Sequence, residues 1–117
     1  MGFKIKSCER DNIAIVNVEG EIDMFTSPNL RDTLVPFFKK KIGGIVVDLA
    51  QVSFMDSSGI ATLVEGLQWS KKGKSAFVLC SLGKTVSNAL SLTKLDNVFT
   101  IKENIQEALD WISKDTL

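Results

Sequence analysis

Apolar and polar residues alternate from Phe3 to Cys8, the period of a strand with one wet face. The polar run Arg10-Asp11-Asn12 interrupts it, and Ile13 to Val18 resumes as an aliphatic strand, so the two predict a hairpin. Gly20-Glu21-Ile22-Asp23 reads as a loop, and Ser27-Pro28 as an N-cap followed by proline at the first helical position. Leu30, Leu34, Phe37 and Phe38 then recur at helical spacing to about Lys40. Gly43-Gly44 breaks that helix, and the β-branched run Ile45 to Leu49 has the character of a strand covered on both faces.

A second amphipathic helix is predicted from Ser57 to about Lys72, with Ile60, Leu63, Val64 and Leu67 on one face and Gly73 ending it. Ala76 to Cys80 is the next buried strand. Val86, Ala89, Leu90 and Thr93 line a third helix, Val98 to Ile101 forms a last short strand, and Ile105, Ala108, Leu109 and Ile112 give a fourth helix its apolar stripe. Strands alternating with helices imply βαβ units with right-handed crossovers. The expected class is α/β: one domain over residues 1–117, with a mostly parallel sheet, an antiparallel N-terminal strand and four helices. No repeat, linker or low-complexity segment interrupts it.

Composition narrows the function. Of the 117 residues 44% are hydrophobic, enough for a core without metal or disulfide support. Basic and acidic residues number 14 each, which provides neither a nucleic-acid footprint nor a polybasic membrane patch. Cys8 and Cys80 sit in strand-like runs without metal-ligand spacing and read as buried, reduced thiols. No apolar run approaches bilayer-spanning length, so the expected location is the cytoplasm.

The chain has no histidine, which removes Ser-His-Asp and Cys-His nucleophile activation and most zinc sites together. Gly-x-Ser-x-Gly is half matched around Ser57, with Gly59 present but Met55 at the first glycine position, and no base accompanies the serine. Ser81 to Lys84 and Ser91 to Lys94 match Ser-x-x-Lys without the companion motifs. Gly73-Lys74-Ser75 and Gly83-Lys84-Thr85 resemble the tail of a P-loop, but Gln68 and Val78 replace the required earlier glycine. The residues predict a non-enzyme without cofactor or metal.

One segment carries more than a structural signal: Val52-Ser53-Phe54-Met55-Asp56-Ser57-Ser58-Gly59-Ile60. It leads from a buried strand into an amphipathic helix. Its simplest role is an N-cap, in which aspartate and serine accept hydrogen bonds from the free first-turn amides and Gly59 permits close backbone approach. Two consecutive hydroxyls exceed what one cap requires, however. Phe54 and Met55 also put bulky apolar side chains beside a polar tip, as contact surfaces do.

Phe54-Met55-Asp56-Ser57-Ser58-Gly59 resembles the signature of anti-sigma factor antagonists, the single-domain members of the STAS family. The resemblance extends through Gly20-Glu21-Ile22-Asp23 and the element order of nearly the whole chain. It implies a binding module in which the first serine after the aspartate, here Ser57, is the phospho-acceptor. Its implied partners are an anti-sigma factor that is also a serine protein kinase, and a serine phosphatase. Loops after adjacent parallel strands emerge at the same carboxyl edge of a sheet, so the expected contact surface joins Glu21 and Asp23 to Phe54, Met55, Asp56, Ser57, Ser58 and Gly59. Ala61 stands where many members carry a second glycine, a departure on the helix and not at the serine. Two other readings stay open: a constitutive STAS scaffold of a signalling or lipid-transport assembly, whose serines only cap, and a small nucleotide-binding or hydrolytic protein. A regulatory domain of an anion transporter is not the expected reading, because such a domain would be accompanied by a membrane segment.

Overall fold

Two residues with left-handed backbone, Asp11 (φ 53°) and Asn12 (φ 66°), turn β1 (Lys4–Arg10) back onto β2 (Ile13–Ile22). Short polar side chains tolerate that conformation, and a two-residue turn with both φ positive matches the twist of an antiparallel pair. The computed structural model describes residues 2–115, so Met1, Thr116 and Leu117 of the expected domain lie outside the described residues. After β2 come α1 (Ser27–Lys39), β3 (Gly44–Met55), α2 (Ser57–Gly73), β4 (Ala76–Cys80), α3 (Lys84–Leu92), β5 (Thr100–Lys102) and α4 (Ile105–Asp115). The sheet order is β1-β2-β3-β4-β5, with β1 antiparallel to β2 and the rest parallel.

That order never reverses. Successive right-handed crossovers along one direction put every crossover helix on the same face. Leu30 and Leu34 of α1, Ile60, Leu63 and Leu67 of α2, and Val86 and Leu90 of α3 accordingly share one core with Ile45, Val47 and Leu79 of the sheet. The other face is covered by α4, whose Ala108 and Ile112 lie on Ile15, Val46, Val78 and Cys80. A sheet without a reversal has no crevice between oppositely wound halves, so its strand ends present a surface instead of a cleft.

Several boundaries differ from the expected ones. Gly20-Glu21-Ile22 is not loop: these residues continue β2, pairing with Val52, Phe54 and Met55, and Ile22 is fully buried. Gly20 (φ 104°) is required there because a Cβ would fall 2.7 Å from the Gly2 carbonyl oxygen. The strand expected at Ile45 to Leu49 runs on to Met55, its polar residues facing outward. Pairing of β3 with β4 stops at Asp48 and Cys80, so the end of β3 leans on β2 alone. Thr26, not Ser27, precedes α1; Ser27 is the first helical residue and is buried. The left-handed residue after α2 is Lys74 (φ 57°), one place beyond Gly73. The last strand begins at Thr100 because Val98 and Phe99 are held in a turn through their amides to the Leu95 carbonyl. Cys80 is buried as expected, but Cys8 is exposed, because it lies on the edge strand beyond the cover of α4.

Candidate functional site

The ends of β2 and β3 lie side by side, with Ile22 paired to Met55, so the chain segments that follow them leave the sheet together. After β2, the Asp23 side chain accepts hydrogen bonds from the amides of Phe25 (2.9 Å) and Thr26 (3.1 Å). The Thr26 hydroxyl donates to the Glu21 carbonyl at 2.8 Å. This closed turn leaves Met24 and Phe25 no room inward. They are 66% and 80% exposed.

After β3, Asp56 is the N-cap of α2: its carboxylate accepts from the amides of Ser58 (2.9 Å) and Gly59 (3.2 Å). The Ser58 hydroxyl donates to the same oxygen at 2.5 Å. That bond is the largest effect on the Asp56 carboxyl; desolvation opposes it, and the Gly59 and Ser58 amides and the Met24 amide from the neighbouring turn add to it, so the pKa lies below its ordinary value. The aspartate therefore stays ionised at the positive end of the helix.

The two serines separate in role. Ser58 is half-buried and committed to Asp56, while Ser57 is exposed and its hydroxyl has no hydrogen bond among the described residues. The cap expected of aspartate and serine together is thus made by Asp56, with Ser58 supporting it. Ser57 stands at the first helical position, where its backbone carries it outward.

Of the expected contact residues, Glu21, Phe54 and Ser57 are exposed and Asp23, Asp56 and Ser58 half-buried, at one end of the sheet. Met55 is 4% exposed and Gly59 is buried, so neither offers contact surface. They form the floor. A Cβ on Gly59 would fall 2.7 Å from both Ile22 Cγ2 and Met55 Cγ, and this absent methyl is what lets α2 seat on the strand ends. Sequence reasoning missed Met24 and Phe25. The signal was two adjacent apolar residues between Asp23 and Ser27-Pro28, out of register with the helix that follows. With Phe54, 44% exposed, they give this end three exposed large apolar side chains among acidic neighbours.

The P-loop-like segments do not supply an alternative. Gly73 ends α2, and although Gly83 opens α3, Val78 lies buried inside β4, so no phosphate-enclosing loop precedes that helix. Among the described residues no group of three or more potential metal ligands occurs, and no helix is long and apolar enough to cross a membrane.

A family model described as the STAS domain matches residues 4–108. The chain belongs to the STAS domain family. Among curated relatives, an anti-sigma-B factor antagonist of Listeria monocytogenes is 33% identical over 104 residues, covering 87% of this chain and 89% of its own. A crystal structure of an anti-sigma factor antagonist from Mycobacterium paratuberculosis superposes with a TM-score of 0.88 at 26% identity, covering 96% of this chain and 95% of that one. The Bacillus cell fate determinant SpoIIAA in its phosphorylated form shares the fold, with a TM-score of 0.72 at 17% identity and coverage of 95% and 99%.

Proposed function

We propose that this STAS domain is an anti-sigma factor antagonist switched by phosphorylation of Ser57. Unphosphorylated, it binds an anti-sigma factor that is also a serine protein kinase and thereby releases a sigma factor. Phosphorylation by that kinase ends the complex, and a serine phosphatase restores it. The protein acts by binding, not by catalysis, within the cytoplasm. The names carried by its relatives support the antagonist role. The observation that carries the switch is the exposed, unengaged hydroxyl of Ser57 beside a cap that Asp56 and Ser58 complete without it.

The physics requires no change of fold. A phosphoserine adds about −1.5 to −2 charges at pH 7. The amino-terminal end of α2 accommodates that charge in the free domain. A partner seated on Met24, Phe25 and Phe54 would desolvate it beside Asp56, already a like charge. Losing about 3 to 4 kcal/mol in this way weakens binding by roughly a few hundredfold.

Incubation with ATP and the cognate kinase, followed by phosphopeptide mapping, tests the acceptor: the group should appear on Ser57. Placement on Ser58 alone, or on neither, would end the assignment. Titration calorimetry with the anti-sigma factor tests the switch: Ser57→Ala should bind like wild type and Ser57→Asp far more weakly. Equal binding by Ser57→Asp would leave the constitutive scaffold as the better reading.

A further inference from the structure

The groove between α1 and α2 is unlike the rest of the surface. Val35 and Phe38 of α1 and Trp69 of α2 form its apolar part, and it is an open depression of about 510 Å³. Arg31, Lys39, Lys41 and Lys72 line it, and no acidic residue does, in a chain whose net charge is zero. Lysines in the last turns of helices complement the helix dipole, which accounts for Lys39 and Lys72. Arg31 is paired with Glu65 of α2 at 3.1 Å, so Lys41, beyond the helix end in a left-handed conformation (φ 59°), is the cation that neither a dipole nor a partner accounts for among the described residues.

We infer that this groove is a second docking surface, built for an acidic amphipathic helix of a partner protein. Aromatic and arginine side chains at the centre with a charged rim are the anatomy of a protein interface, and the furrow between two packed helices accepts the ridge of a third. With Arg31 held by Glu65, the three lysines Lys39, Lys41 and Lys72, none of them ion-paired among the described residues, set the partner's charge. A nucleotide base would have to displace existing contacts of Trp69: the Arg31 guanidinium lies 5.5 Å from its ring centre, and Phe38 meets it edge-on at 5.6 Å. A membrane surface fits poorly, because the exposed large apolar residues (Met24, Phe25, Phe54, Leu92 and Val98) all lie outside the groove. Val35, Phe38 and Trp69 are half-buried, so the occupant must bring apolar side chains onto them.

Trp69 is about 18 Å along the α2 axis from Ser57, which puts this surface toward the opposite end of α2 from the switch. The probe is a synthetic peptide of about eighteen residues, long enough to hold a helix, with leucine and phenylalanine on one face and glutamate on its flanks. With Trp111→Phe, Trp69 is the sole tryptophan and reports through its emission. The peptide should shift that emission saturably, bind about tenfold more weakly to Lys39→Glu/Lys72→Glu or to Lys41→Glu, and weaken with salt. Ser57→Asp should leave binding unchanged, which separates this surface from the switch. No saturable shift overturns the inference. So does equal binding by the charge-reversed variants or by a peptide with lysine in place of glutamate. ATP, or phosphatidylglycerol vesicles, occupying the groove while the peptide does not would also overturn it.

Discussion

The Asp56 amide donates to the Ile22 carbonyl across 3.0 Å, binding the entrance of α2 to the end of β2. One residue therefore serves both segments of the site: its backbone holds the neighbouring strand, and its carboxylate caps the helix. Its loss should be felt in stability before it is felt in binding.

Asp56→Ala should cost about 1 kcal/mol, the usual loss of a good N-cap, and Asp56→Asn much less because the amide oxygen still caps. The pair also gives a pH signature. The folded Asp56 pKa lies below 3.8, so the extra stability is fully present above that value and is lost as pH falls through the folded pKa. The stability difference between wild type and Asp56→Asn, from denaturant melts, should be constant above about pH 5 and drift toward the asparagine variant below about pH 4.

The serines should separate in the same melts. Ser57→Ala should stay within about 0.5 kcal/mol of wild type, since an exposed hydroxyl without a partner stabilises little. If Ser57 helped to cap, the change would instead cost up to about 1 kcal/mol. Ser58→Ala should cost about 1 kcal/mol, because it removes the 2.5 Å bond to the Asp56 carboxylate. It should also move the Asp56 pKa upward, measurable by carboxyl NMR titration. Equal costs for the two variants would contradict the division of roles.

Gly59→Ala should destabilise by about 1 to 3 kcal/mol despite alanine's better helix propensity. The added methyl meets Ile22 Cγ2 and Met55 Cγ at 2.7 Å, and the branched Ile22 side chain has no free space to retreat into. Thermal unfolding checks it. An unchanged melting temperature would mean that α2 can lift from the strand ends at little cost.

The cysteines should react unequally. A thiol reagent under native conditions should modify exposed Cys8 quickly and leave Cys80 untouched until the chain unfolds. Burial, with the Asp48 charge acting in the same direction, raises the Cys80 thiol to about 11 from 9.0. The neutral thiol is therefore the folded form, and its contribution to stability is full below pH 9.0 and lost as pH rises toward 11.

Much of this was legible in the chain because hydrophobic period and element type agreed. Ala76 to Cys80 matched its strand in full, and Ile60, Leu63 and Leu67 marked the buried face of α2. What failed had a common cause. Gly20 to Ile22 and Ala50 to Phe54 are poor strand sequences that remain extended only because each supports the other in the β2–β3 ladder. Local pattern carries no information about that pairing. The same limit hid the difference between Ser57 and Ser58, which depends on which hydroxyl the helix turns toward Asp56. It also hid the burial of Met55, whose face is fixed by register with Ile22.

Because each strand lies beside the one made just before it, the sheet can assemble in the order of synthesis. Once Cys80 has left the ribosome, β1 to β4 and the site between β2 and β3 have all their parts. The helix that covers Ile15, Val46, Val78 and Cys80 follows all five strands in the chain. At common elongation rates its arrival takes roughly 2 to 7 s more. For that interval the nascent chain carries a finished site on one end and a bare aliphatic sheet face on its side, the surface most exposed to chaperones or to another nascent copy.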